Sequence, residues 1–283
     1  MNTITLNDKN IIPILGFGTY KATETEGVKS VKTAIASGYR LIDTAAKYEN
    51  EEAVGKGIKA SGIDRAELFV TTKVWREDMG YEQTIRALNE SLKKLQLDYI
   101  DLYLIHWPAN ELNYSNWQKT NAEVWRAMED LQAEGKIKSI GVSNFWTEHL
   151  DALLQTAKVV PAVNQIEFHP GYWQPELTQY CKDHGIVIEA WSPLARGKIF
   201  GSDVLNNIAQ KHNKSISQVA IRWIIQHGAV VIPKSTTVAR IQENMDVFGF
   251  ELSEDEMKTI DDLPEMGFSG ELPNIWPDRV KVD

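Results

Sequence analysis

The chain has 283 residues, 43% of them hydrophobic and 24% charged, which is the balance of an ordinary folded protein and excludes collagen-like, coiled-coil or disordered organisation. Its 39 acidic residues outnumber 30 Lys and Arg, a net charge of −9, so it lacks the electrostatic footprint of a nucleic-acid binder. Cys181 is the only cysteine, which excludes an intrachain disulfide and a cysteine-based zinc site.

The chain opens Met1-Asn2-Thr3-Ile4-Thr5, with neither a basic nor an apolar stretch, so no signal peptide is expected. No apolar run approaches the ~20 residues that cross a bilayer. A cytoplasmic monomer with no membrane and no metal is the expectation. Thr3–Leu6 and Asn10–Ile12, around Asn7-Asp8-Lys9, predict a hairpin. Eight strand-like cores follow: Leu15–Gly18, Leu41–Thr44, Leu68–Val74, Ile100–His106, Ile137–Ser143, Ala162–Phe168, Val187–Ser192 and Val230–Pro233. Most are apolar on successive residues, as parallel strands buried on both faces require.

Helical periods lie between them. Val28, Val31 and Ile35 stop at Gly38; Ile85, Leu88, Leu92 and Leu95 make a second stripe. Thr120 and Glu123 have capping-box spacing ahead of Val124, Met128 and Leu131. Leu150, Leu153 and Leu154 form the next stripe, Leu177 and Cys181 another, and Val219, Trp223 and Ile224 follow Ser217. Two extra helices are predicted near Val204–His212 and Ser253–Ile260, the second opening on a Ser253–Glu256 capping box. Eight β-then-α units without a linker predict one (β/α)8 TIM barrel over residues 1–283. A doubly wound sheet is the rival, but Gly16-Phe17-Gly18 continues Thr19-Tyr20-Lys21, which is not the glycine-rich dinucleotide turn.

Chemistry in such a barrel sits at the C-terminal strand ends. There the chain places Asp43, Tyr48, Lys73 and His106 on three neighbouring strands. Taken singly, each has a plain structural reading as a helix cap, a packing ring, a solvated amine or a core imidazole. Together they have a chemical logic. An ammonium beside a phenol favours phenolate and should lower the Tyr48 pKa, making it a general acid. Asp43 would hold Lys73, and His106 would donate a hydrogen bond to a substrate oxygen. Such a set can protonate a carbonyl oxygen, but no side chain supplies hydride, so a nicotinamide cofactor is implied.

The run Gly38-Tyr39-Arg40-Leu41-Ile42-Asp43-Thr44-Ala45-Ala46-Lys47-Tyr48-Glu49-Asn50-Glu51 resembles the signature of the aldo-keto reductase superfamily. The likeness continues through Lys73, His106-Trp107-Pro108, Gly141-Val142-Ser143-Asn144-Phe145, Asn164-Gln165 and Ile232-Pro233-Lys234-Ser235. The short loops look most like its bacterial 2,5-diketogluconate reductase and glyoxal reductase branch. The resemblance implies a tetrad of Asp43, Tyr48, Lys73 and His106, and NADPH-dependent reduction of an aldehyde or ketone.

It also implies a cofactor trail along the second half of the barrel. Ser143, Asn144 and Gln165 would hold the nicotinamide carboxamide, and Trp191 would stack on the ring. Ser192, Leu194 and Gly197 would loop around the pyrophosphate. Lys234, Ser235, Thr236 and Arg240 would gather at the 2′-phosphate of NADP, with Glu243 also at the cofactor and Asn244 reading the adenine. Without the family, the last cluster is equally a generic phosphate site or a solvated face. Tyr20, Trp75 and Trp107 should line the substrate pocket, with Trp276 and Phe268 of the C-terminal tail closing over it. Short loops after His106 and Gly197 predict a shallow pocket for small dicarbonyls, keto-sugars or aromatic aldehydes.

Three rivals come from other classes, the weakest a metal hydrolase, since the chain has neither His-x-His nor His-Glu-x-x-His. A Schiff-base lyase would use Lys73 as nucleophile, but an adjacent Asp43 keeps an amine charged and unreactive. A non-catalytic cofactor-binding barrel would have no need of an intact tetrad.

Overall fold

In the computed structural model residues 2–280 are described, so Met1 and residues 281–283 of the expected 1–283 span lie outside the described residues. The first two strands, β1 (Thr3–Thr5) and β2 (Ile11–Pro13), pair antiparallel with Ile4 opposite Ile12. The remaining strands form one eight-stranded parallel sheet in sequence order. They are β3 (Gly16–Gly18), β4 (Leu41–Asp43), β5 (Phe69–Val74), β6 (Ile100–Ile105), β7 (Ile137–Ser143), β8 (Val163–Glu167), β9 (Val187–Trp191) and β10 (Val230–Val231). The sheet closes on itself: Leu15 bridges Val231 in parallel, the Val231 N–H donates to the Ile14 carbonyl at 2.9 Å, and Gly18 N–H donates to Pro233 at 3.1 Å. Closure removes the open edges of the eight-stranded sheet, which could otherwise template aggregation.

The barrel interior is filled rather than hollow. Leu41, Leu102, Leu104, Val163, Val230 and Ile232 pack together inside it. Leu6 and Ile12 join the same cluster, so the hairpin plugs the N-terminal end. The larger apolar layer lies between the sheet and the surrounding helices, and includes Ile42, Val70, Tyr103, Trp125 and Trp223. The consequence for function is directional: with the bottom sealed, the interior meets solvent only at the C-terminal strand ends.

The helices are α1 (Glu24–Ala36), α2 (Glu51–Ser61), α3 (Tyr81–Leu95), α4 (Trp117–Ala133), α5 (Thr147–Leu154), α6 (Pro175–Asp183), α7 (Asp203–His212), α8 (Ile216–Gln226), α9 (Val238–Met245) and α10 (Glu254–Asp261). The two extra helices are α7 and α10, and the Ser253–Glu256 capping box is present. Three departures from the sequence reading have physical causes. α4 starts at Trp117, so Thr120 is not a cap; its hydroxyl donates back to the Asn116 carbonyl, 3.2 Å away and four residues earlier. α8 is capped by Ser215 rather than Ser217, with Gln218 completing a capping box. α2, unmarked in the sequence reading, buries Val54 and Ile58 one turn apart with the small residues Ala53, Gly55 and Gly57 beside them. A Cβ on Gly55 would stand 2.3 Å from the Leu95 carbonyl oxygen, and one on Gly57 would stand 2.8 Å from Val31. Glycine there lets α2 lie close against α1 and α3. Among the described residues no helix is long and apolar enough to cross a membrane.

Candidate active site

Successive strands deliver the four expected side chains to one place. Parallel pairing sets Asp43 against Thr71 and Lys73 against Leu104, and alternation turns Asp43, Thr71 and Lys73 inward. Lys73 is fully buried and Asp43 is 2% exposed. The Lys73 ammonium donates to Asp43 Oδ1 at 2.8 Å and Oδ2 at 2.7 Å, to the Thr44 carbonyl at 2.9 Å, and to the Tyr48 hydroxyl at 3.3 Å. A buried cation needs this many acceptors to offset its lost hydration. Burial alone would lower the Lys73 pKa, but the Asp43 carboxylate and the Tyr48 phenol raise it above the usual amine range. Lys73 is thus a fixed cation.

Tyr48 sits at the end of a 3-10 turn, Ala46–Tyr48, and its Tyr20 and His106 neighbours lie 5.0 and 5.5 Å away, ring to ring. The expected lowering of its pKa is not what the site produces. Burial raises the phenol more than Lys73 lowers it, Asp43 adds to the rise, and the net result is about 12. Tyr48 therefore keeps its proton at neutral pH. His106 is 8% exposed, and burial, reinforced by the nearby Lys73 charge, holds its imidazole well below 6.5. It is neutral, with a buried Nδ1 that finds no partner among the described residues. The site thus offers a protonated phenol and a neutral imidazole side by side, with a fixed cation beneath.

The pocket wall is aromatic. Trp75 lies edge-on to His106 at 5.0 Å, Trp276 is edge-on to Trp75 at 5.1 Å, and Trp107 stacks on Trp276 at 5.1 Å. The Asn110 amide donates at 2.8 Å to both the Pro273 and Trp276 carbonyls, so the loop after β6 binds the C-terminal tail into this wall. Trp276 thus packs with Trp75 and Trp107 beside His106. Phe268 does not join that cluster; it stacks on Tyr172 at 4.6 Å beyond the end of β8. The rim carries cations on its rings: Lys21 over Tyr20, Lys47 over Trp75 and Arg76 over Trp276, with ammonium or guanidinium 4.9–5.4 Å from the centroids.

The second half of the barrel assembles the residues of the expected cofactor trail, in two groups. Ser143 and Gln165 pair across β7 and β8, and the Ser143 hydroxyl donates to the Gln165 carbonyl at 2.8 Å. Asn144, in a left-handed conformation, donates to the His106 carbonyl at 2.9 Å and accepts the Trp191 indole N–H at 2.8 Å. It therefore ties the acid half of the site to Trp191. After Trp191 the backbone is left-handed at Ser192, Ala195, Arg196 and Gly197. The Gly197 N–H donates to the Leu194 carbonyl at 2.7 Å. The Ser192 hydroxyl is buried with no partner among the described residues, as fits a site shaped for a ligand that brings its own polar atoms.

The second group follows β10. Lys234, Thr236 and Arg240 are exposed, Ser235 is buried, and Thr237 holds the N-cap position of α9 without a side-chain cap bond. Ser235 Oγ accepts the Thr237 N–H at 3.1 Å, preorganising the turn before the helix. Arg240 stands in the first turn of α9, and neither it nor Lys234 forms an ion pair among the described residues; Glu243 and buried Asn244 follow one turn on. A helix N-terminus flanked by two uncommitted cations suits a phosphate monoester.

Sequence reasoning missed the supports. Asn50 accepts the Thr44 hydroxyl at 2.9 Å and donates to the Thr19 carbonyl at 2.8 Å, which fixes the turn carrying Tyr48. Glu189, fully buried on β9, reaches Gln165 at 2.9 Å. An acidic residue inside an apolar strand core, Val187-Ile188-Glu189-Ala190, was the available signal.

The model of the aldo/keto reductase family matches residues 14–265. The glyoxal reductase of Bacillus subtilis is 53% identical over 263 residues, covering 93% of this chain and 92% of that protein. The methylglyoxal reductase DkgA of Escherichia coli is 46% identical over 264 residues, 93% of each chain. Among solved structures, a Gox0644 mutant in complex with NADPH is 41% identical with a TM-score of 0.90, and 96% of this chain and 97% of that one are covered.

Proposed function

This chain belongs to the aldo/keto reductase family, and on that footing we propose that it reduces small aldehydes and ketones to alcohols with NADPH, using Tyr48 as the proton donor. The observation that carries the reading is the buried Lys73, held by Asp43 and touching the hydroxyl of a Tyr48 that keeps its proton. NADPH, when bound, supplies the hydride. The substrate carbonyl oxygen lies between the Tyr48 hydroxyl and the His106 imidazole and accepts hydrogen bonds from both. As negative charge develops on that oxygen, Tyr48 gives up its proton, because an alkoxide is a far stronger base than a phenolate. The Lys73 cation stabilises the phenolate left behind, and Asp43 keeps Lys73 in place. Neutral His106 serves as donor rather than acid, since burial denies it a second proton.

Ser143, Asn144 and Gln165 fit the carboxamide of the cofactor, Trp191 its ring, and Ser192, Leu194 and Gly197 its pyrophosphate. Lys234, Ser235, Thr236 and Arg240 fit the 2′-phosphate, with Glu243 and Asn244 beside the adenine. Arg240→Ala should therefore cost about 1.5–3 kcal/mol of NADPH binding, roughly ten- to a hundredfold, and leave NADH binding nearly unchanged. Titration of both cofactors by tryptophan fluorescence checks this, and equal losses would contradict it.

The substrate class follows from the pocket. Trp75, Trp107 and Trp276, with Lys21, Lys47 and Arg76, crowd the rim beside Tyr48 and His106, which suits small dicarbonyls, keto-sugars and aromatic aldehydes better than large apolar ligands. A panel of carbonyls followed by loss of NADPH absorbance tests both reaction and substrate. Methylglyoxal and benzaldehyde should give much higher kcat/KM than bulky steroid ketones; the reverse order, or no turnover of any carbonyl, would overturn the reading.

A further inference from the structure

Beneath the four residues of the acid half lies a fifth titratable group that the proposed mechanism does not use. Glu189 is fully buried on β9, and β-pairing sets it directly beside Gln165 of β8, which in turn pairs with Ser143 of β7. The Gln165 amide nitrogen has two hydrogens, and both are committed: one goes to Asp43 Oδ2 and one to Glu189 Oε2, each at 2.9 Å. Turning the amide over would set its carbonyl oxygen against two carboxyl oxygens, so the pair of acceptors dictates which way Gln165 faces. Its own Oε1 is then left for a donor at the barrel mouth.

We propose that Glu189 is a positioning residue, which by accepting one Gln165 N–H turns the Gln165 carbonyl to the mouth, where it accepts the carboxamide N–H of a nicotinamide. The proposal rests on the cofactor reading given above. Glu189 does this as a neutral acid. Its Oε1 is buried with no partner among the described residues, a position no ionised carboxylate tolerates at low cost. Burial first, and then the Asp43 carboxylate on β4, raise its pKa above the usual carboxyl range, against the smaller opposing effects of the Gln165 amide on β8 and the Lys73 ammonium on β5. At neutral pH the buried group of Asp43, Lys73 and Glu189 then carries no net charge, and Oε2 remains an acceptor. A second carboxylate there would have competed with Asp43 for the Lys73 charge; a protonated one orients Gln165 and leaves the Asp43–Lys73 pair intact.

The test separates the two ends of the cofactor. NADPH carries the nicotinamide; adenosine 2′,5′-bisphosphate carries the 2′-phosphate and adenine without it. Both are titrated by fluorescence into wild type, Glu189→Gln and Glu189→Leu. Glu189→Gln keeps an acceptor for Gln165 and should bind both ligands as wild type does. Glu189→Leu removes the acceptor and should weaken NADPH about five- to tenfold, the worth of one neutral hydrogen bond, with the bisphosphate held to within about twofold. Should Glu189→Leu fail to fold, Glu189→Ala carries the same expectation, with circular dichroism confirming the barrel. Equal losses for both ligands, or undiminished NADPH binding without the acceptor, would overturn the role of Glu189. Failure of wild type to bind the bisphosphate at all would instead overturn the cofactor reading, and this inference with it.

Discussion

Tyr48→Phe should lower the rate of carbonyl reduction by about 10²–10⁴-fold, the usual worth of a positioned general acid. The substitution removes one oxygen and keeps the ring that packs against Tyr20 and His106. NADPH affinity should hold, because the groups that fit the cofactor stand on β7 to β10 and α9, away from the turn that carries Tyr48. Single-turnover reduction, with NADPH titrated separately, measures both quantities. His106→Gln should be milder, since an amide still donates a hydrogen bond to the carbonyl oxygen. A Tyr48→Phe protein that reduces its best aldehyde near the wild-type rate would move the proton donor to another residue.

Lys73→Met should damage both catalysis and stability. It leaves Asp43, 2% exposed, as a buried carboxylate whose remaining side-chain partner is the Gln165 amide. Removing one partner of a buried pair typically costs about 3–5 kcal/mol, because the other charge stays behind uncompensated. The double variant Asp43→Asn with Lys73→Met removes both charges and keeps an acceptor for Gln165. It should regain most of the lost stability while activity stays absent, since Tyr48 loses its cation in either case. Denaturation midpoints in urea, alongside turnover, separate these effects. A Lys73→Met protein as stable as wild type would contradict the arrangement of charges described here.

The parts of the molecule legible from sequence are those where one periodicity or one spacing carries the signal. The eight barrel strands read clearly because most are short apolar runs buried on both faces, and α10 because Ser253 and Glu256 sit at capping-box spacing. The four groups of the candidate site were legible because Asp43, Lys73 and His106 stand at the ends of consecutive strands and Tyr48 follows the first of them in a short turn. What escaped depends on through-space neighbours. α2 has only Val54 and Ile58 as an apolar pair, with glycines beside them, since close approach to Leu95 and Val31 selects for the absence of a side chain. The direction of the Tyr48 shift depends on how deeply the phenol is sunk, and no neighbour in sequence reports that: Lys73 was foreseen, the larger effect of burial was not. Phe268 and Trp276 lie in one tail, but only the second is pinned by Asn110 to the pocket wall. Glu189 was passed over because its partner Gln165 is twenty-four residues away, a separation that only strand pairing bridges.

The central claim is a hydride transfer to a carbonyl carbon on this barrel. Its most direct test uses NADPH deuterated at C4 of the nicotinamide, with benzaldehyde as substrate, and analyses the product by mass spectrometry. The mechanism predicts benzyl alcohol carrying one deuterium on the carbinol carbon, formed in step with the oxidised cofactor. Loss of the aldehyde without deuterium in the alcohol, or no consumption of either reactant, would contradict it.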